Sequence, residues 1–170
     1  LFIYLIWFIG IYNAVNLLDG LDGLAGGYML LISFAISLFG NPTLNEMHLI
    51  FASILIGFLV FNQRSAKLFM GDAGSLFLGF HMAVLPLLSI DEIQLNSTRV
   101  LDMTPYILLG TYLIADTTRV FFTRIVDKKN PMTADTIHFH HLVLQESGSY
   151  ITSIFSIYFI TSITLIISII

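Results

Sequence analysis

The stretch of sequence that decides the fold is residues 47–63, MHLIFASILIGFLVFNQ, which contains no charged side chain and ends directly before Arg64. A helix needs about 20 predominantly apolar residues, within a range of roughly 17–25, to cross a bilayer. Comparable uncharged windows cover residues 1–18, 23–45, 73–90 and 147–170. A sixth window, residues 103–115, reaches that length only if Asp116 and Arg119 lie near its end. The pattern predicts an all-α integral membrane protein, a polytopic bundle of about six transmembrane helices.

The composition of the chain supports this class. Of 170 residues, 56% are hydrophobic and 11% are charged, whereas a soluble domain carries about 25% charged residues. A net charge of −4 gives a nucleic-acid partner no electrostatic footprint. The absence of cysteine excludes disulfide scaffolds and thiolate metal sites. The sequence begins inside an apolar run at Leu1, so we expect a piece of a longer protein or a product cut upstream.

The positive charges orient the predicted spans. Six spans put the loops around residues 19–22, 62–72 and 123–146 on one side and those around 40–46 and 91–102 on the other. The first side carries six cations: Arg64, Lys67, Arg119, Arg124, Lys128 and Lys129. The second side carries only Arg99. The positive-inside bias therefore predicts that the first side is cytoplasmic and that both termini face outward.

The first cytoplasmic loop carries amides and carboxylates at a fixed spacing. Every third residue is one of these groups: Asn13, Asn16, Asp19 and Asp22. Placing a carboxylate at the bilayer centre costs roughly 2.5–3.5 kcal/mol, so two of them at the end of an apolar span need water, a cation or a partner. An Asn/Asp/Gly turn is the simpler explanation. We favour a site because the spacing is constant.

The second loop places Asp72 between Gly71 and Gly74, where the next helix is expected to start. Asp72 could cap that helix by accepting hydrogen bonds from its free backbone N–H groups. It could also hold a divalent cation over an anion site, since Mg²⁺ takes one or two carboxylates together with substrate phosphates. Arg64 and Lys67 lie nearby in the sequence, so the loop has the groups that a diphosphate site requires.

The third loop contains three of the five histidines of the chain, His138, His140 and His141. Histidine clusters can bind zinc, but His140 and His141 are adjacent and no cysteine supports a structural zinc site. Histidines beside lysine and arginine can instead donate hydrogen bonds to phosphate and sugar oxygens.

Two further pairs of polar residues have simpler explanations. Asp116 and Arg119 are three residues apart and share a helix face, either as an ion pair at a helix end or as part of a site. His48 and His81 are isolated in the sequence, and we expect both to be ordinary histidines with satisfied hydrogen bonds.

Three segments, taken in order, resemble one family of membrane enzymes. They are residues 13–25 (NAVNLLDGLDGLA), 69–76 (FMGDAGSL) and 135–142 (DTIHFHHL). Together they are similar to the polyprenyl-phosphate N-acetylhexosamine-1-phosphate transferases, glycosyltransferase family 4. These integral membrane enzymes move a sugar-1-phosphate from a UDP-sugar to a polyprenyl phosphate, release UMP and require Mg²⁺. The spaced His-x-His-His form looks more like the bacterial undecaprenyl-phosphate N-acetylglucosaminyl type than the muramoyl-pentapeptide branch.

The resemblance implies roles for individual residues. Asp72 is implied as the catalytic, Mg²⁺-binding aspartate, with Asn16 as the amide near the metal and the diphosphate. Asp19, Asp22 and Phe69 are implied around the uridine end of the donor, and Asn62 borders the same cleft. The histidine motif of His138, His140 and His141 is implied near the diphosphate and the sugar. Arg119, which we expect to bind substrate, and Arg124 also fit the N-acetylglucosaminyl pattern.

The resemblance also implies a function for the whole protein. It is the transfer of N-acetylhexosamine-1-phosphate, with N-acetylglucosamine favoured, in cell-envelope polysaccharide synthesis such as that of cell wall or lipopolysaccharide. The expected location is the bacterial inner membrane, and the partners are UDP-N-acetylhexosamine and polyprenyl phosphate. A homodimer remains open. The family's upstream Asp-Asp motif has no counterpart here, so residues 1–170 are expected to be the C-terminal portion of a single transmembrane transferase domain, with upstream helices missing.

Two other functions stay open from the sequence. A catalytically incomplete fragment or paralogue would bind the donor without turnover. A membrane transporter or cation pathway would carry acids through the depth of the membrane, whereas here the acids fall at the predicted helix ends.

Overall fold

The computed structural model describes residues 2–39, 42–88, 104–130 and 137–169. Every regular element within these ranges is an α-helix, which confirms the predicted all-α class. In chain order the helices are α1 (Phe2–Leu18), α2 (Leu24–Phe39), α3 (Pro42–Asn62), α4 (Gly71–Leu88), α5 (Thr104–Leu109), α6 (Thr111–Val126), α7 (Phe139–Ser147) and α8 (Tyr150–Ile169). Two residues of the predicted loops, Arg99 and Asp135, lie outside the described residues.

The lengths and compositions of the helices are those of a membrane-type bundle. Two helical segments, Leu44–Asn62 and Tyr150–Ser168, are long and apolar enough to cross a membrane. Three shorter helical segments are also apolar: Phe2–Leu18, Leu24–Leu38 and Gly71–Leu85.

The predicted fifth span differs from the structure. It is divided at Gly110 into the short helix α5 and the longer helix α6. Because α6 continues to Val126, Asp116 and Arg119 lie inside this helix, so the expectation that they lie near the end of the span is wrong. The sequence predicts that the span ends near Asp116 because the uncharged window stops there. The helix instead continues, with one side packed on the bundle and the other side exposed.

Small residues and a few polar side chains hold the helices together. Helix α1 packs against α4, and α2 packs against α3, while α8 contacts α2, α5 and α7. The backbones of α1 and α4 approach closely at Gly79, where a Cβ atom would lie 2.5 Å from the carbonyl oxygen of Tyr12. Small residues permit such approaches between apolar helices. The indole N–H of Trp7 donates to the carbonyl of Ala83 at 3.0 Å and fixes the same pair.

The three polar loops of the predicted cytoplasmic side meet at one end of the bundle. The N–H of Gly23, in the first loop, donates to Oδ1 of Asn62 at the end of α3, at 2.9 Å. Gly20, also in the first loop, lies against the imidazole of His140 on α7. Segments that the sequence separates by more than one hundred residues therefore form one polar region.

Candidate functional site

Carboxylates from two loops lie close together at this end of the bundle. We call Asp19, Asp22 and Asp72 the aspartate cluster. Asp19 and Asp22 lie in the tight turn between α1 and α2, and Asp72 lies in the first turn of α4. Burial, followed by the negative charges of Asp22 and Asp72, raises the pKa of Asp19 to about 6. The cluster is therefore a region of crowded negative charge.

Asn16 and Asp72 are brought to one junction by a serine. The hydroxyl of Ser75, three residues after Asp72, donates to Oδ1 of Asn16 at 2.5 Å and so links α4 to α1. Asp72 is exposed and follows Gly71, which has a φ of +61°. It lies inside the helix rather than before it, which does not favour the N-cap alternative. Ser75 had no assigned role from the sequence, although its i+3 spacing from Asp72 marks the same helix face.

Asn62 joins the first two loops. Its Oδ1 accepts from the N–H of Gly23, its Nδ2 donates to the carbonyl of Leu68 at 2.7 Å, and the residue is only 3% exposed. Asp22 also reaches this second loop, because its Oδ2 accepts from the N–H of Ala66 at 3.3 Å. Both polar atoms of the Asn62 amide are thus engaged by backbone. Phe69, from the same loop, is 72% exposed at this end of the bundle.

Asp116 organises the histidine loop from within α6. Its Oδ1 accepts from Nη2 of Arg119 at 2.8 Å and from the N–H of Phe139 at 3.0 Å. Its Oδ2 lies 2.9 Å from Nδ1 of His138. Arg119 in turn donates to the carbonyl of Ile137. The ion pair weighed from the sequence is therefore present, and it also fixes the start of α7. Substrate binding by Arg119 stays a prediction, and Arg124 is buried with its Nη1 donating to the carbonyl of Asn130 at 2.8 Å.

The three histidines stack at the start of α7. The ring of His140 is parallel to that of His138, with centroids 5.9 Å apart, and lies 4.2 Å from that of His141. His140 is fully buried, and within the described part of the chain neither of its ring nitrogens has a hydrogen-bond partner. Burial lowers the pKa of His140 to about 4, with His141 and His138 adding to the shift. Burial also lowers the pKa of His141. His140 is therefore neutral at pH 7.

His48 and His81 differ from the sequence prediction. They lie on α3 and α4 with ring centroids 5.0 Å apart, and the ring of Phe51 packs against His81 at 4.4 Å. Both nitrogens of His48 and Nε2 of His81 are buried without a partner among the described residues, so the prediction that their hydrogen bonds are satisfied is wrong. The two helices bring the rings together, and this pairing across 33 residues has no local sequence signal.

Apolar helices with acidic, basic and imidazole groups gathered at one end are consistent with a helical membrane bundle that carries a polar site. The family model described as glycosyl transferase family 4 matches residues 1–90, more than half of the chain. The chain belongs to this family.

Curated relatives support the assignment. The chain is 36% identical, over 91% of its length and 43% of the relative's, to a Bacillus subtilis (strain 168) protein named "Probable undecaprenyl-phosphate N-acetylglucosaminyl 1-phosphate transferase". It is 34% identical, over 88% of its length and 45% of the relative's, to the undecaprenyl-phosphate alpha-N-acetylglucosaminyl 1-phosphate transferase of Thermotoga maritima. It is 44% identical, over 52% of its length and 29% of the relative's, to the phospho-N-acetylmuramoyl-pentapeptide-transferase of Staphylococcus carnosus. The chain spans less than half the length of these relatives.

Proposed function

We propose that this chain carries the sugar-nucleotide and metal site of an enzyme that transfers N-acetylhexosamine-1-phosphate from a UDP-sugar to polyprenyl phosphate. The observation that carries the proposal is the meeting of the aspartate cluster with the histidines, where Gly20 lies against His140. A diphosphate donor needs a cation site and hydrogen-bond donors within one molecule's length. N-acetylglucosamine is the favoured sugar, because two of the relatives are named for that sugar.

The residues present fit a magnesium ion. The aspartate cluster and Asn16 offer hard oxygen ligands. Burial raises the pKa of Asp19 most, and the negative charges of Asp22 and Asp72, which a cation would offset, add to the increase. Among the described residues, no group of three or more His, Asp or Glu side chains could hold a metal by itself. Mg²⁺ typically takes one or two carboxylates and completes its shell with substrate phosphates and water. Asp72 and Asn16 are the proposed protein ligands.

The remaining residues bind and orient the donor. When bound, Mg²⁺ would supply charge neutralisation on the diphosphate. His140 is neutral, and a buried ring nitrogen without a partner costs about 1–3 kcal/mol, so an oxygen of the donor diphosphate or sugar is a suitable partner for it. His138 and His141 flank this position, with Arg119 beside them. At the other end, Asp19, Asp22 and the exposed ring of Phe69 surround the proposed uridine position.

The reaction itself asks for positioning rather than covalent chemistry. An oxygen of the lipid phosphate forms a bond to the β-phosphorus of the donor. The bond from that phosphorus to the bridging oxygen breaks, and UMP leaves with the electron pair. A phosphate monoester has a second pKa near 6, so the acceptor is already largely ionised near neutral pH and needs no strong base. Alignment and electrostatic stabilisation account for most catalysis of phosphoryl transfer.

The proposed membrane arrangement follows from the charges. Six spans with the three polar loops on the cytoplasmic side would place the site in the bacterial inner membrane, where UDP-sugars are available. Support comes from the six cations that these loops carry. We propose that residues 1–170 form the C-terminal portion of a single transferase domain that serves cell-envelope polysaccharide synthesis.

The experiment is exchange of radiolabelled UMP into UDP-N-acetylglucosamine by membranes that carry the complete protein and a polyprenyl phosphate. We expect exchange with Mg²⁺ and none with a chelator. UDP-N-acetylgalactosamine and UDP-glucose serve as competing donors that test the sugar. Binding of UDP-N-acetylglucosamine without exchange would contradict the proposal and favour the catalytically incomplete alternative.

A further inference from the structure

Helix α8 contacts the first loop and the histidine helix α7, each time through a side-chain hydroxyl that donates to a backbone carbonyl. The hydroxyl of Tyr158 donates to the carbonyl of Gly23 at 2.8 Å, and that of Tyr150 donates to the neighbouring carbonyl of Asp22. Between them, Oγ of Ser153 donates to the carbonyl of His140 at 2.5 Å. At about 100° per residue, Ser153 lies about 60° to one side of Tyr150 on the helix and Tyr158 about 80° to the other. The three hydroxyls therefore span about 140° of the α8 surface, with Ser153 facing α7 and the two tyrosines reaching the first loop.

We propose that Tyr150, Ser153 and Tyr158 are positioning residues that fix the aspartate cluster and the histidines relative to each other. The proposal rests on the proposed function, since the relative position matters only if one ligand bridges both groups. Among the described residues, the hydrogen bonds of the three hydroxyls go to backbone carbonyls and not to a side chain of the cluster or a histidine ring. They act on the backbone and so set where the functional groups lie rather than how these groups ionise.

In the first loop, both backbone polar groups of Gly23 are hydrogen-bonded to side chains from other helices. The N–H of Gly23 is bound by Asn62 and its carbonyl by Tyr158, while its φ of +78° is a conformation that glycine adopts readily. Two backbone bonds, from Asp19 to Asn16 and from Leu24 to Leu21, shape the turn itself, and the bonds to Asn62 and Tyr158 tie it to α3 and α8. Loss of the Tyr158 hydroxyl would leave the Gly23 carbonyl with the N–H of Gly27, at 2.9 Å, and would remove its link to α8.

The histidines depend on α8 in the same way. The ring of His140 has no hydrogen-bond partner among the described residues, so its position is set by packing and by its backbone. Ser153 holds that backbone and is itself fully buried. Asp116 holds the residues just before it, His138 and Phe139. Ser153 thus adds a buried side-chain hydrogen bond to the packing between the histidine helix and α8.

A glycine on α2, Gly27, leaves the space that the side chain of Tyr158 occupies. A Cβ atom at Gly27 on α2 would collide with the hydroxyl of Tyr158, so only glycine allows the ring to reach Gly23. Tyr150 and Tyr158 also line a cavity of about 450 Å³ between α2, α3 and α8. Phenylalanine at either position keeps the ring in place and removes only the hydroxyl.

The test uses hydroxyl deletions in the complete protein, with UMP exchange as the readout. Tyr158→Phe and Ser153→Ala are each expected to lower kcat/KM for the UDP-sugar by about tenfold, because misplacement by 1 Å can cost up to about 100-fold. Ser156→Ala and Ser162→Ala are matched controls on α8, since these hydroxyls donate within the helix to the carbonyls of Thr152 and Tyr158. The controls should keep the wild-type kcat/KM.

A double variant separates positioning from a general structural effect. If Tyr158 and Ser153 fix the same relative position, the Tyr158→Phe, Ser153→Ala double variant loses less kcat/KM than the product of the single losses. A purely structural role predicts reduced amounts of folded protein with unchanged kcat and KM. Single variants within twofold of wild type, or a double variant equal to the product, would overturn the proposal.

Hydrogen–deuterium exchange without substrate tests whether Tyr150, Ser153 and Tyr158 fix the first loop and the histidine helix, even if the proposed reaction is wrong. Tyr158→Phe should raise exchange in peptides covering residues 19–27 and also in those covering residues 137–142, because the first loop packs on His140. Ser156→Ala should raise neither. An increase confined to residues 19–27 would overturn the linkage between the loops, whatever the activity. Absence of UMP exchange in the wild type would overturn the proposed function alone.

Discussion

Replacing Gly20 by alanine adds one methyl group at the contact between the first loop and the histidines. The new Cβ atom would lie 2.6 Å from Nε2 of His140 and 3.1 Å from Nε2 of His141. Gly20 has no positive φ, so alanine suits its backbone and the effect is steric. Ordinary contact begins at 3.4 Å, so the loop and the ring must separate by about 0.8 Å. His140 is fully buried between two other rings, which leaves little room for it to move.

The expected cost follows from that displacement. Overpacking a filled interior typically costs about 1–3 kcal/mol, and misplacing reacting groups by 1 Å can lower a rate by up to about 100-fold. We therefore expect Gly20→Ala to lower kcat/KM for UMP exchange by about 10- to 100-fold in the complete protein. The free energy of unfolding in detergent should fall by about 1–3 kcal/mol in the same variant.

A second glycine provides the control. A Cβ atom at Gly57, on α3, would have no neighbour within 4 Å, so Gly57→Ala should keep wild-type exchange. If Gly20→Ala retained kcat/KM within twofold of wild type, the two loops would not be in contact as described. The reasoning that joins the aspartate cluster to the histidines would then be refuted.

Three other changes test separate parts of the structure. Asp116→Ala should lower the free energy of unfolding by about 1–3 kcal/mol, because it leaves the buried His138 ring and the N–H of Phe139 without their acceptor. Asp127→Ala removes an exposed ion pair worth at most about 1 kcal/mol, and equal effects in chemical denaturation would contradict this. Burial and the neighbouring carboxylates raise the folded-state pKa of Asp19 to about 6 from an unfolded value of 3.8. Without divalent cations, protonation of Asp19 therefore contributes to the free energy of unfolding below pH 4, and this contribution is lost as the pH rises to 6. Asp19→Asn should flatten that part of the pH profile of unfolding, and an unchanged profile would count against the shift. His48→Phe should leave the free energy of unfolding unchanged or raise it by about 1 kcal/mol, since it removes unpartnered nitrogens; a loss above 1 kcal/mol in detergent would show that those nitrogens have a partner.

The sequence was sufficient to predict the helical class and the shared side of the three loops. Both depend on where charges interrupt apolar runs, and that signal is local. The same signal misjudged the fifth span, because it treats Asp116 as a boundary, whereas the carboxylate is neutralised inside α6 by Arg119 and by groups that return from the histidine loop. Partners supplied by tertiary contact are not visible in a hydropathy pattern.

In the candidate site, too, local sequence signals were predictive and tertiary contacts were not. The residues that the motifs single out lie at one end of the bundle, but the groups that hold them were not predicted. Tyr158 lies 135 residues from the carbonyl it binds, and its aromatic ring reads in the sequence as part of an apolar span. Asn62, expected at the border of the cleft, proves to be a link between two loops. Roles of this kind depend on which backbone atom lies opposite, which follows only from the packing.

The most direct test of the account is Mg²⁺-dependent UMP exchange by the Asp72→Ala variant of the complete protein. Asp72 is the carboxylate proposed to hold the cation, and removal of several kcal/mol of charge stabilisation lowers a rate tenfold for every 1.4 kcal/mol. We predict a loss of at least about 100-fold in kcat at saturating Mg²⁺, with wild-type exchange in the Asp127→Ala control. Near-normal Mg²⁺-dependent exchange by Asp72→Ala would contradict the central claim that this end of the bundle is the metal and donor site.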